Sequence, residues 1–581
     1  MIRNLSLASL WLVLALLGVR LDPATAAPKP DAPKSDQGET PKPGATTSGN
    51  YLAGRHAQAV REMGNAITFY SAVLAREPDN PDLIRRAFVL HLGEGKIADA
   101  LKLAGRMTKE DSARLVYPEI LRAADDIKRG RWADAIARLD ALGTDGIGGL
   151  AGPLLAAWAE TGRGDRKAAE AALARLGARN GAQGLVELHG ALIADVAGDK
   201  AAAEAAYRKI ADGEGGPTAR LASLLGNLLE RAGERDKARA VYESYRAKSP
   251  DSRLLDDVWR RIESGGKAPK PEIASATDGA AEALLGLAGA FRQQNVRETA
   301  YQLVRIALHL RPDFPSAQVL LADLLEGDRR WADANAVYDA INPAAPLHRA
   351  TRTRVAANLN RLDRDEEAVA RLEALAKSEP KDTDALIQLG DILRGRKKFK
   401  EAAAAYDRAL ARVPTLDRRH WPLLYSRGIA LERSQQWPRA EADFLKALEF
   451  EPEQPYVLNY LGYSWIEKGQ HLDRATEMIR KAVSLRPDDG YIVDSLGWAH
   501  YMLGQWADAV RELERAVELR PEDPVINDHL GDAFWRVGRR TEARFQWERA
   551  LTLKPEADLI ETIRKKLTDG LPDGPPATRV H

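Results

Sequence analysis

Small and large apolar residues recur along this chain with a period close to 34, most sharply near its C-terminal end. Gly497 and Gly531 lie 34 residues apart; Ala475, Ala509 and Ala543 step by 34, as do Ala482, Ala516 and Ala550, and Pro487, Pro521 and Pro555. Within each unit a Leu-Gly pair is followed twelve residues later by Ala, four later by a large apolar residue, then by Ala and by Pro. This spacing predicts two amphipathic helices per unit. Antiparallel helices cross closely only where side chains are small, so Gly497 and Ala509 mark the crossing and Ala516 the contact with the next unit. Pro521 ends the second helix, because proline lacks an amide hydrogen and pushes its predecessor out of helical geometry.

The same columns continue upstream. The second-helix alanine recurs as Ala440, Ala402, Ala368, Ala334 and Ala300, and the closing proline as Pro452, Pro414, Pro380, Pro346 and Pro312. Eight units therefore fit residues 281–557. Ala238 with Tyr242 and Pro250, and Gly54 with Ala66, Tyr70 and Pro78, mark further units; Ala100, Ala135, Ala169 and Ala203 fill the column between them without the proline, so six units fit residues 51–252. The expected fold class is all-α: a solenoid of about fourteen helix-turn-helix repeats in two arrays, each pair touching only its neighbours. Residues 253–280 should form a capping helix (Leu254, Leu255, Val258, Trp259, Ile262) and then a hinge rich in Gly and Pro, SGGKAPKPEIASATDG. Leu559, Ile560, Ile563 and Leu567 predict a second capping helix over 558–569, ahead of a disordered tail at 570–581.

These columns resemble the tetratricopeptide repeat pattern. The resemblance implies a right-handed superhelix whose first helices line a concave, partner-binding surface. With the Leu-Gly glycine numbered position 8, positions 4, 7, 8 and 11 face the core, and positions 2, 5, 9 and 12 form a second stripe about a third of a turn away. In the family this second stripe meets ligands. Here it reads Tyr456, Asn459, Tyr463 and Ile466, then Tyr491, Asp494, Trp498 and Tyr501, then Val525, Asp528, Asp532 and Trp535. Large aromatic residues that the repeat core does not require suggest an interface. Tyr456, Tyr463, Tyr491, Trp498, Tyr501 and Trp535 are accordingly the expected partner-binding residues; the alternative is that they pack on one another or on the capping helix. The family's carboxylate clamp, with lysine and asparagine at fixed inner positions, is not matched, and Asp494, Asp528 and Asp532 would repel an acidic peptide end.

The N-terminus adds an expectation about location. Arg3 precedes an apolar stretch from Leu5 to Val19, too short to span a bilayer comfortably, and Ala24-Thr25-Ala26 presents small residues to a signal peptidase. Residues 1–26 read as a signal peptide cut after Ala26, which places the mature chain in the periplasm with no stable membrane span. Residues 27–50 are dominated by Pro, Gly, Ser, Thr and charge and read as a flexible linker. The absence of cysteine excludes disulfides, thiolate metal sites and a lipid-modified N-terminal cysteine. With 85 Lys+Arg against 84 Asp+Glu there is no field of one sign to attract nucleic acid, so partners must be recognised locally. The densest basic run, Arg394 to Lys400, reads as a solvated turn.

Catalytic signals are missing: there is no Walker loop, G-x-S-x-G elbow or H-E-x-x-H. The ten histidines are scattered, and Trp132, Trp331, Trp437 and Trp506 each lie three residues before the second-helix alanine, which marks them as packing residues. No cofactor, metal or catalytic residue is expected. The segments LNYLGYSWIEKG, LGWAHYMLGQWADAV and HLGDAFWRVGRRTEA are similar to exported bacterial tetratricopeptide proteins, one group of which serves as adaptor lipoproteins for carboxyl-terminal processing proteases. That likeness implies a non-enzymatic scaffold holding other proteins through its C-terminal concave face, an adaptor presenting them to a protease or assembly complex. A structural scaffold for polysaccharide secretion or outer-membrane assembly would be built the same way. An enzyme would need a catalytic insertion, and no insertion exceeds the linker at 251–279.

Overall fold

The computed structural model describes residues 42–572, apart from 109–114, 178, 180, 214–216, 250–251, 253–254 and 344. The signal peptide with Ala24 and Ala26, the linker as far as residue 41, Leu254 and the tail from residue 573 lie outside the described residues. Within them the regular structure is helical throughout: thirty α-helices, one short 3-10 turn and no strand. Twenty-eight of the helices form fourteen consecutive pairs, and the other two are Asp256–Glu263 and Ala557–Asp569. No helix among the described residues is long and apolar enough to cross a membrane.

The period of 34 is the period of these pairs. All fourteen column alanines, from Ala66 through Ala300 to Ala543, are 0% exposed, so a larger side chain at any of them has no room. The position-8 glycine lies beneath a ring or branched side chain of the second helix: Gly54 under Tyr70, Gly390 under Tyr406, Gly428 under Phe444, Gly531 under Trp547. A Cβ at Gly428 would come within 2.6 Å of the Phe444 ring, which is why a glycine stands beneath that ring. First helices start on local signals. Asp523 Oδ1 accepts from the amides of Val525 and Ile526 at 2.9 and 3.0 Å, with Pro524 in the first turn. Trp132, Trp331, Trp437 and Trp506 each open a second helix and pack on the next first helix or the turn after it, at Gly162, Arg361, Lys468 and Arg536.

Two boundaries differ from the sequence reading. The first helix, Thr47–Ala59, takes the last residues of the expected linker, because Thr46 Oγ1 caps it through Gly49 N and buried Asn50 bonds both backbone groups of Gly44. The helix Ala276–Gln293 starts inside the expected hinge, where Ser275 Oγ accepts from Asp278 N and the Asp278 carboxylate accepts from Ala274 N.

The chain divides into two compact units, one reaching to Arg364 and the other beginning at Asp365, whereas the sequence reading places its division at 253–280. In the first unit, six pairs stack from Thr47–Ala59 to Arg235–Lys248 and end on Asp256–Glu263. That short helix lays Trp259 edge-on against Tyr242 and pairs Arg261 with Glu230 at 2.6 Å, as a cap should. The following residues are fastened along their length. Arg235 donates to Gly266 O, Asn227 to Lys270 O and Arg311 to Glu272 O, while Ile273 is buried.

The next helix pair, Ala276–Gln293 and Arg297–Leu310, then turns back onto the earlier repeats. It packs against the first helices Pro81–Gly93, Tyr117–Lys128, Gly148–Arg163 and Gln183–Val196. The expectation that each pair touches only its neighbours therefore fails in this unit. Complementary surfaces drive the return: Gly279 lies directly on the Trp158 ring, Arg220 pairs with Glu282, Tyr117 with Thr299, and Arg305 Nε donates to Gly93 O at 2.7 Å. Arg330 closes the far side with two bonds to Glu94 at 2.5 and 2.8 Å. The second unit stacks from Asp365–Ser378 to Arg540–Thr552 and finishes on Ala557–Asp569.

Candidate protein-binding face

The second stripe can be followed through both units by counting back eleven residues from each column alanine to position 9, or twelve from Ala475, where the repeat carries one extra residue. In the first unit this gives, among others, Trp158 and Asn227. Both are engaged by the chain itself. Trp158 is covered by Gly279 and donates from Nε1 to His189 Nδ1 at 3.1 Å; burial lowers the His189 pKa to about 3, so the ring stays neutral and can accept. Asn227 holds Lys270 O, and Ser223 and Arg220, at positions 5 and 2 of the same helix, both hold the Glu272 carboxylate. These residues are absent from the sequence-based site, although the position rule used for the last three repeats finds them.

In the second unit the stripe of the last repeats is only partly open. Trp498 and Tyr501 are 8% and 2% exposed, which corrects the expectation that the repeat core is complete without them. Trp498 is sandwiched, stacked on Tyr501 at 4.7 Å and on His529 at 4.0 Å, and its Nε1 donates to Glu467 at 3.1 Å. Successive first helices approach closely on this side, so a large residue at position 9 fills the gap between repeats. Ile466, at position 12, is buried as well.

Carboxylates fasten this seam rather than repelling a ligand. Asp494 faces His529 Nδ1 at 3.0 Å. Burial opposes the His529 charge, but Asp494 outweighs it and raises the pKa. Lys566, from the final helix, places its ammonium 2.7 Å from both Asp528 and Asp532. Burial works against its charge too, and the two carboxylates hold its pKa above the ordinary value. Asp532 also accepts from Trp547 Nε1 at 2.9 Å. Its own pKa is pushed up to about 6 by burial, opposed by Lys566 and reinforced by Asp528. One ammonium shared by two buried carboxylates leaves negative charge uncompensated, which favours the protonated form of Asp532.

Beyond the final helix, Gly570 turns at φ +74 and lies against the Trp535 ring, and Arg536 donates to Pro572 O at 2.7 Å. The chain thus covers position 12 of its last repeat. Trp535 itself is half-buried, tilted on Trp547 at 5.4 Å. Tyr463 is half-buried and donates to Glu467 at 3.3 Å. The structure brings Tyr463, Trp498, Tyr501 and Trp535 into contact with one shared core cluster and leaves position 2 outside it.

Position 2 is the open part of the stripe. Tyr456 is half-buried, Tyr491 is 45% exposed and Val525 is 42% exposed. Each tyrosine carries an arginine over its ring, Arg486 at 5.8 Å and Arg520 at 5.3 Å, the two arginines 34 residues apart. Tyrosine and arginine thus recur together at position 2 of two successive repeats. Among the described residues no three of His, Asp or Glu are grouped so as to hold a metal ion.

Comparison with known proteins follows this geometry. A tetratricopeptide repeat model matches residues 190–253, 361–417 and 495–558. No curated protein matches the chain. Among solved structures it is similar to the Cut9–Hcn1 hetero-tetramer of the APC/C, at 15% identity over 90% of this chain and 97% of that one, with a TM-score of 0.37. A tetratricopeptide repeat protein from Parabacteroides merdae is 17% identical over 50% of this chain and 99% of its own, with a TM-score of 0.34. YrrB, a TPR protein with an unusual peptide-binding site, is 20% identical over 33% of this chain and 97% of its own, with a TM-score of 0.26. The matched segments fall in both of the compact units.

Proposed function

We propose that this chain is an exported, non-enzymatic scaffold of the bacterial cell envelope, holding other proteins on its second unit and acting as an adaptor that presents them to a protease or assembly complex. The observation that carries this reading is the rim at position 2, where Tyr456, Tyr491 and Val525 recur in successive first helices and stay half-buried or exposed while Trp498, Tyr501 and Ile466 of the same stripe are buried. Tyrosine and arginine are residue types that anchor interfaces: tyrosine offers large contact area with few rotors to freeze, and arginine offers a planar fork of hydrogen-bond donors. A carboxyl-terminal processing protease is the partner class suggested by the resemblance of the last repeats, and the signal-like N-terminus supports an envelope location.

The test is co-purification from envelope extracts with mass spectrometry, comparing the wild-type chain with Tyr456→Ala/Tyr491→Ala. N-terminal sequencing of the same preparation should read from Ala27. The double variant should keep its helical content and lose a partner, with binding weakened by about thirtyfold, the usual effect of removing an aromatic anchor. An identical set of partners for both proteins would overturn the reading of this rim.

A further inference from the structure

We propose that the inner face of the last two repeats is a seat for a basic amphipathic helix, filled in this chain by its own Ala557–Asp569 helix, and that a partner helix with the same pattern displaces it. The pattern is two branched apolar residues four apart with a lysine between them, as in Ile563, Lys566 and Leu567. The proposal rests on the reading of the second unit as a protein-binding one and names a second contact within it.

The seat is built independently of what fills it. The Trp498 sandwich, the Asp494–His529 pair and the Trp547 bond to Asp532 all lie within the repeats themselves. The filling helix is held lightly by comparison. Gly490–Met502 contributes eleven buried residues, whereas Ala557–Asp569 contributes one, Ile563. Leu559 and Leu567 are only partly buried against the cluster, as is Leu571 beyond it, and Ile560 is likewise only half-buried. What remains is polar: Lys566 on Asp528 and Asp532, the Leu567 carbonyl accepting from Arg544, and the Pro572 carbonyl accepting from Arg536. A terminal helix with little apolar burial opens at low free energy.

Charge sets what can replace it. Asp528 and Asp532 are buried among apolar rings, so a neutral helix on the same seat would leave two desolvated carboxylates unpaired. A helix with a lysine at the position of Lys566 restores the pairing. The aromatic walls of Trp498, Tyr501 and Trp535 supply contact area, and the acidic floor supplies selectivity.

The experiment uses the full chain carrying Ile563→Asp, which removes the one buried anchor of the final helix, and a fluorescein-labelled synthetic peptide of residues 556–572 added in trans. Hydrogen exchange should show the 557–569 region opened while Pro524–Thr552 stays protected. Fluorescence anisotropy should then show the peptide binding this variant and binding the wild-type chain, whose seat is filled, more weakly. A Lys566→Gln peptide should bind the variant roughly tenfold or more weakly than the native peptide, the loss of a charged hydrogen-bonded pair. The proposal is overturned if Ile563→Asp unfolds Pro524–Thr552, if the 557–569 region stays closed, if the opened variant does not take up the peptide, or if both peptides bind alike. No partner protein enters this measurement, so it can fail while the rim reading holds, and the reverse.

Discussion

Trp158 and Trp498 hold the same position in their repeats, and their surroundings show how one stripe serves two ends. Trp158 is wholly buried beneath Gly279, a residue from a helix pair that begins more than a hundred positions later. Trp498 is buried by its neighbours: Tyr501 from its own helix, His529 from the next first helix and Glu467 from the preceding one. The first unit spends its inner face on long-range closure, with Arg220, Ser223 and Asn227 gripping a segment that follows the array. The second unit spends only its far end, leaving position 2 free. A repeat thus does not dictate by itself whether its inner stripe meets a partner; what the chain brings back to that stripe decides.

The sharpest way to break this comparison is Trp158→Ala. Removing a fully buried tryptophan costs about 3–5 kcal/mol, and the return of Ala276–Gln293 depends on that ring. Hydrogen exchange should show Ala276–Leu310 loosening together with Gly148–Arg163, although the two are distant in sequence. Loss confined to Gly148–Gly177 would mean that the helix pair is held elsewhere. Trp498→Ala is the matching change in the second unit. The stacking on His529 and Tyr501 predicts a cost of about 3 kcal/mol, felt across Pro455–Thr552 and at least as large as that of Trp506→Ala. A melting temperature unchanged by Trp498→Ala, with Trp506→Ala clearly lower, would restore Trp498 to the free surface.

These contrasts explain what was legible in the sequence. The helix pairs were, because their determinants are local and periodic: an alanine wherever helices cross, a glycine beneath most of the second-helix rings, and an Asp or Asn with Pro at a helix start. Every column alanine read from the sequence is fully buried. The return of Ala276–Leu310 was not legible, since Gly279 on Trp158 and Glu282 on Arg220 are single matched pairs with no period to reveal them. The aromatic stripe was half legible. Its positions follow from helical geometry, but an aromatic residue facing a partner and one filling the gap between repeats look the same in one sequence. The discriminating residues were Glu467, His529 and Lys566, polar groups at stripe or neighbouring positions whose partners lie one repeat away.

The smallest expected effect, and the one that sets the two units against each other most directly, is their response to pH. Burial lowers the pKa of His189 to about 3, and burial also lowers those of His309 and His348, all in the first unit. In the unfolded chain these histidines take up protons below their ordinary value near 6.5, and in the folded unit they resist, so the first unit loses stability as pH falls from about 6.5. The second unit has the opposite sign. Burial pushes Asp532 up to about 6, and Asp494 raises His529 against its own burial, so the folded unit keeps protons that the unfolded chain releases. Its stability is full at acid pH and is lost as pH rises through about 6 and then through the raised His529 value. Between pH 5 and 7.5 the first unit should therefore gain, and the second lose, on the order of 1 kcal/mol. Hydrogen exchange corrected for the intrinsic pH dependence of the amides reads both units in one sample. His529→Gln should flatten the slope of the second unit and leave the first unchanged. Slopes of the same sign in both units would show that the seam around Asp494, His529, Asp532 and Lys566 does not hold its protons as its geometry implies.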